Sequence, residues 1–211
     1  MNKHHCLSLV LFMLLIAISC NQPTVIEYVS GPIDTSSEPI QELLAIDQSF
    51  TMNKGKGNYT IKPVARYQIS ARVVSVKSYS SGWESTLSSI DLALVWGDLA
   101  DPKLDNTISY RQQQRWYYYR YSPACPVNKT YIINHSCNNH MIPSSDNIHR
   151  ALKSIKKNDR VKIEGYLVNI SGTVGRKNVW WNTSTTRSDS GDHSCEIIYV
   201  KKLRVNKKVY L

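Results

Sequence analysis

The sequence predicts a β-rich α+β domain that closes into a partly open barrel. Three observations carry this. From Lys62 onward the chain falls into short runs rich in Val, Ile and Tyr, such as "VARYQISARVVSVKSY" and "LALVW". Polar or glycine-bearing loops separate those runs. One later segment, around 145–156, repeats apolar residues at helical spacing.

The chain begins with Lys3, His4 and His5, an apolar run from Leu7 to Ile18, and Cys20. That run is shorter than the roughly 20 apolar residues of a membrane span and has the layout of a secretory signal, so residues 1–19 are read as a signal peptide. "AISC" resembles the lipobox of bacterial lipoproteins, with Ala17 where Leu is commonest. The resemblance implies lipidation at Cys20 by palmitate-type chains, and a protein anchored to the membrane rather than spanning it. Asn21 in place of Asp, by resemblance to enteric sorting rules, implies the outer membrane facing the periplasm. Five N-x-[ST] sequons, at Asn58, Asn128, Asn134, Asn169 and Asn182, do not argue for a eukaryotic secreted protein, since roughly three would arise by chance in so Asn- and Ser-rich a chain.

Residues 20–36, rich in Pro, Gly and polar side chains, read as the lipidated cysteine and a tether. Residues 37–60 read as a short helix and a loop: Ser37 as cap, Glu38 and Pro39 in the first turn, Ile40, Leu43 and Leu44 as the stripe, then "NKGKGNY". Residues 61–211 form the β-rich domain. In "SYRQQQRWYYYRYS" a strand places Arg115, Tyr117, Tyr119 and Tyr121 on one face, and Trp116, Tyr118 and Arg120 on the other. Such aromatics interleaved with arginine suit stacking on bases or sugar rings, or simple packing in a sheet. The main helix follows, capped by Ser144 or Ser145, with Asp146 in its first turn, Ile148, Ala151, Leu152 and Ile155 on one face, and Lys156 and Lys157 at its end. "RVKIEGYLVNIS", "NVWWNTST" and "CEIIYVKKLRV" supply the last strands. Strands of this length beside one helix suggest an OB-like arrangement.

The 211 residues carry a net charge of +10. The excess gathers in Arg150, Lys153, Lys156, Lys157, Arg160 and Lys162, and again in Lys201, Lys202, Arg204, Lys207 and Lys208. Lys153, Lys156, Lys157, Arg160 and Lys162 are therefore candidates for binding an anionic surface, against the plainer reading of a solvated basic face. The expected partners are the membrane, through the lipid anchor, and an anionic envelope component or another envelope protein. Nucleic acid is not expected.

"DLALVWG" (91–97), "HSCNNHMIP" (135–143), "KIEGYLV" (162–168) and "WNTSTTRSDSGDHSCEIIYV" (181–200) together resemble an uncharacterised family of exported bacterial lipoproteins. The resemblance covers about residues 62–205, implies export without an activity, and transfers no catalytic residue.

His135, Cys137, Asn139 and His140 crowd into "NHSCNNHMIP" and form the candidate functional loop. Their spacing matches no strong metal signature even if Cys195 and His193 are added, so no metal and no cofactor are expected. After processing, Cys125, Cys137 and Cys195 remain, an odd number. Cys137 with Cys195 is the favoured disulfide, Cys125 with Cys137 the other choice. A nucleophilic Cys137 beside His135 or His140 is the enzymatic alternative, hydrolytic or metal-dependent, but no orienting third group is legible, nor an acid–base pair among Asp189, Asp192 and Glu196. The reading adopted is a hydrogen-bonded loop in a non-enzymatic envelope protein, with His135 and Asn139 holding the backbone that enters the helix.

The lipoprotein reading predicts that Cys20→Ala releases the protein from the membrane fraction and abolishes incorporation of labelled fatty acid. Membrane attachment unchanged in that variant would overturn it.

Overall fold

One strand of 22 residues organises the fold. It lies in a computed structural model that describes residues 22–186 and 195–211. The signal segment, Cys20, Asn21, Asp189, Asp192 and His193 fall outside the described residues. This long strand, β4 (Gly57–Ser78), follows three short ones, β1 (Glu27–Tyr28), β2 (Ile40–Leu43) and β3 (Phe50–Lys54). Next come α1 (Glu84–Leu87), β5 (Ile90–Val95), two 3₁₀ turns, the hairpin β6 (Ile108–Gln113) and β7 (Trp116–Tyr121), and α2 (Lys129–Asn134). Then β8 (Ser136–Pro143), α3 (Asp146–Ser154), β9 (Arg160–Val174), β10 (Lys177–Trp181), β11 (Glu196–Val205) and β12 (Lys208–Tyr210) complete the chain.

Five strands pair in a circuit: β4 with β5, β5 with β8, β8 with β11, β11 with β9, and β9 back to β4. Every junction is antiparallel except β8 with β11. A strand this long joins both ends of such a circuit only by curving, and the register of β4 shifts between Pro63 and Ala65 and again between Val73 and Ser75, as β-bulges permit. The ring is partial, because the first part of β4 and the end of β9 run beyond it as an open sheet with β2, β3 and β10.

Gly165 sits where β9 crosses β11. A Cβ there would lie 2.0 Å from the carbonyl oxygen of Tyr199, so only glycine lets the two backbones meet. The ring's interior is largely apolar: Ile69, Val73, Leu92, Leu94, Ile163 and Ile198 are at most 1% exposed. Their alternation with outward residues is the period-two pattern of strands buried on one face. Helix α3 closes one end with Ile148, Ala151 and Leu152. Ser145 caps it, its Oγ accepting the Ile148 N–H at 3.1 Å.

The expected N-terminal helix is instead strand β2, pairing Ile40 with Gln68 and Leu43 with Ala65. Four residues cannot sustain a helix on propensity, and the open edge of β4 offers them a full hydrogen-bond ladder. The expected tether is not a free spacer over its described part. Thr24 exchanges two hydrogen bonds with Asn147, at 2.7 and 2.9 Å, β1 pairs with β12, and Ile33 and Thr35 are buried. The boundary expected at residue 61 therefore disappears: the domain's pairing begins at Glu27.

His149, on α3, lies 3.0 Å from the Ser89 hydroxyl through Nε2. Burial and the cations Lys54, Lys153 and Arg150 hold its imidazole below the ordinary value near 6.5, with Asp146 opposing them. The unfolded chain then takes up the proton first, so the contribution of neutral His149 is present above about pH 6.5 and is lost as the pH falls through that value. Melting temperatures between about pH 7.5 and 5 should fall less steeply with acid in His149→Gln than in the wild type.

Candidate functional site

The stretch expected as a loop, "SCNNHMIP", is strand β8, buried between β5 and β11. Alternation along it separates the side chains that the sequence crowds together. Cys137, Asn139 and Met141 face the interior of the ring, while Ser136, Asn138 and His140 face outward. Asn139 donates through Nδ2 to Cys137 Sγ at 3.0 Å and to the Leu92 carbonyl at 3.3 Å, so it ties β8 to β5 and not to the helix entrance. Cys195 lies on the outward side, 3.6 Å from Asn138 Nδ2. The two thiols thus stand on opposite faces of β8, and no disulfide joins them.

His135 is at the end of α2, away from His140. Its ring stacks on Tyr131 at 3.7 Å, its Nδ1 is 3.0 Å from the Tyr131 carbonyl, and its Nε2 is 2.9 Å from Glu38 Oε1. The other oxygen of Glu38 accepts the Trp96 indole N–H at 2.9 Å. This clamp also explains why Glu38 does not open a helix. The enzymatic alternative set Cys137 beside His135 or His140; His140 lies on the opposite face of β8 from Cys137, and the His135 ring is engaged by Tyr131 and Glu38. Among the described residues no three His, Cys, Asp or Glu side chains gather as a metal site would require.

What converges instead is a cluster on the outer face of β5 and β8, roofed by the β6–β7 hairpin. The hairpin turns through Gln114 and Arg115 at φ of 51° and 69°, a conformation that costs a non-glycine residue of order 1–3 kcal/mol. Arg115 offsets that cost with its backbone N–H and carbonyl and both terminal guanidinium nitrogens. Its N–H donates to the Tyr79 hydroxyl at 3.0 Å and its carbonyl accepts from Asn138 Nδ2 at 3.1 Å. Nη1 donates to Asp91 Oδ1 at 2.7 Å and Nη2 to the Ser88 carbonyl at 2.8 Å. The guanidinium lies 4.0 Å over the Tyr79 ring and 5.6 Å from that of Trp181. Asp91 is fully buried, and its Oδ2 has no hydrogen-bond partner among the described residues. His140 Nδ1 is 3.0 Å from Asp91 Oδ1 but off the line a hydrogen bond needs, and its ring packs 4.5 Å from Trp181. Gln112, from the hairpin, donates to Asn138 Oδ1 at 2.7 Å.

The hairpin has two faces. Inward, Tyr110, Tyr117, Tyr119 and Tyr121 form a ladder of rings about 6 Å apart. Burial pushes the phenols of Tyr117 and Tyr110 far above their ordinary value, so both stay neutral. Outward, the register sets Arg111 opposite Tyr118 and Ser109 opposite Arg120. These residues line a shallow groove with Tyr110, Gln113, Gln114 and Tyr119. The groove holds two exposed arginines around Tyr118, itself 50% exposed, and its lining includes no carboxylate.

The basic candidates divide. Lys153, Lys156 and Lys157 are exposed. Arg160 is drawn inward, donating to the Ile33 carbonyl at 3.2 Å and Thr35 Oγ1 at 2.8 Å, and Lys162 stands 3.8 Å from Glu164. Sequence reasoning missed Asp91, Arg115 and Trp181 as a cluster. The signals were an aspartate inside the apolar run "IDLALV" and a turn, "QQRW", with no glycine. No protein-family model, curated protein or solved structure matches the chain.

Removing the guanidinium leaves a buried carboxylate and a strained turn. Arg115→Ala should lower stability by about 3 kcal/mol in denaturant unfolding, and Asp91→Asn in the same chain should restore part of it. A loss under about 0.5 kcal/mol would show that the clasp is not structural.

Proposed function

We propose that the protein is an exported, lipid-anchored envelope protein that binds an anionic, ring-bearing envelope component, such as a phosphorylated glycan, in the outward groove of the hairpin. The observation that carries this reading is the groove itself: Arg111 and Arg120 flank a half-exposed Tyr118 with no carboxylate in the lining. Arginine donates paired hydrogen bonds to phosphate or carboxylate, and a tyrosine face stacks on a ring. The Arg115 clasp supports it too, because it holds the hairpin on the sheet and pre-organises the groove.

We further infer that the ring is OB-like. Taken in chain order, its five strands lie in the order 1-2-3-5-4, the third and fifth are parallel, and the helix falls between the third and fourth. OB barrels bind oligosaccharides and oligonucleotides on the face of their second and third strands. Here that face belongs to β5 and β8 and is occupied by the hairpin, which offers a surface of its own above it. Export favours a glycan over a nucleic acid.

Titration with lipopolysaccharide and with its dephosphorylated form, followed by calorimetry, tests this. Arg111→Ala with Arg120→Ala should weaken binding of the phosphorylated form about tenfold or more while leaving the melting temperature unchanged. Equal affinity for both forms, or binding indifferent to the double substitution, would overturn the proposal.

A further inference from the structure

The lipid anchor of the proposed function and the described fold together constrain how the domain meets the membrane. Only four peptide units separate Cys20 from Thr24, a reach of at most about 14 Å. Thr24 is not part of a spacer: its N–H and carbonyl are both held by the Asn147 side chain at the start of α3. Asn147 and Ser145 also donate to the carbonyl of Leu211, each at 3.2 Å. The Ile26 N–H donates to the Val209 carbonyl, and that of Val29 to Lys207, each at 2.9 Å. The chain therefore leaves its anchor directly onto the end of the ring that α3 closes.

That end is built differently from the hairpin groove. Ile26, Tyr28 and Leu211 stand out from it, 55%, 70% and 53% exposed. The turn after α3 and the β11–β12 turn are joined by Asn206, which donates to Asp159 at 2.9 Å and accepts from the Arg160 N–H at 3.0 Å. Lys156 and Lys157 in one turn thus neighbour Lys207 and Lys208 in the other, and all four are exposed. The carboxylates near this edge include Glu27, Asp146 and Asp34, the last in the field of Arg160, with Asp159 already engaged by Asn206 and the Lys156 N–H. Exposed apolar and aromatic side chains beside lysines are what a surface resting among lipid headgroups carries.

We propose that this edge, formed by β1, β12 and the turn after α3, is a membrane-docking surface. It lies flat on an anionic phospholipid headgroup layer, with Ile26, Tyr28 and Leu211 at the interface and Lys156, Lys157, Lys207 and Lys208 on the phosphates. The proposal rests on acylation at Cys20, and it replaces a domain swinging on a tether with one held in a fixed pose.

The full lipidated protein, placed in nanodiscs of phosphatidylcholine with or without phosphatidylglycerol, tests it by paramagnetic broadening from headgroup-labelled lipid. With phosphatidylglycerol, amides of Tyr28, Lys157 and Lys207 should broaden several-fold more than those of Tyr118 and Arg120. Substituting glutamate for Lys156, Lys157, Lys207 and Lys208 should erase that difference. In vesicle sedimentation of the Cys20→Ala chain, association with anionic lipid should weaken about fivefold for each of these lysines neutralised. Even broadening across the domain, or a difference that survives the charge reversal, would overturn the docking surface. Mass spectrometry of the same sample separates the two claims, since a chain without an acyl group at Cys20 would refute the anchor instead.

Discussion

The pairing of one guanidinium with one buried carboxylate underlies the arrangement of the outer face. Asp91 lies buried in β5, in the wall of the ring, where an isolated charge would be prohibitively costly, and Arg115 reaches it from the tip of the hairpin that roofs β5 and β8. Each residue makes the other tolerable. The aspartate gives the arginine a reason to sit in a left-handed turn, and the arginine gives the aspartate a counter-charge. Tyr79, Ser88, Asn138 and Trp181, from four further segments, are recruited to satisfy or cover the pair. Buried ion pairs seldom add net stability over apolar packing, but they reject wrong geometries severely. This one specifies where the hairpin lies.

Arg72 repeats the device on a second site. It is 2% exposed and grips Asp105 with two hydrogen bonds, at 2.7 and 3.0 Å, while also reaching Asn158 and the Leu99 carbonyl. It fastens the segment leading into the hairpin, as Arg115 fastens the tip. A two-stranded sheet is marginal by itself, and two arginines hold this one at both ends.

Much of the strand and helix content was legible in the sequence, because it rests on local periodicity. The alternation that put Tyr117, Tyr119 and Tyr121 opposite Tyr118 and Arg120 matches the faces of β7, but Arg115, expected on the tyrosine face of a single strand, lies in a hairpin turn; the main helix, capped by Ser145, follows from spacing and capping chemistry. The errors came where a distant partner overrode local preference. Residues 40–43 carry a helical stripe but meet an open edge of β4. "HSCNNHMIP" has the polarity of a loop, yet Asn138 is held by Gln112 and Arg115 of the hairpin, Asn139 by the Leu92 carbonyl, and the backbone by β5 and β11, so it lies within the sheet. The candidate site was invisible for the same reason: Asp91, Arg115 and Trp181 are brought together by topology, and nothing in their spacing announces it.

The parallel pairing of β8 with β11 also dictates an order of events. Every other junction of the circuit joins neighbours in chain order or segments that can meet once β9 exists, but β8 waits beside an empty position until residues 196–200 arrive. Until then both β8 and β9 present unpaired backbone, and the interior they enclose is open to water. Strand β11 therefore acts as a keystone. A nascent or truncated chain lacking residues 196–205 would leave one edge of β8 and one of β9 unpaired however well its local elements had formed.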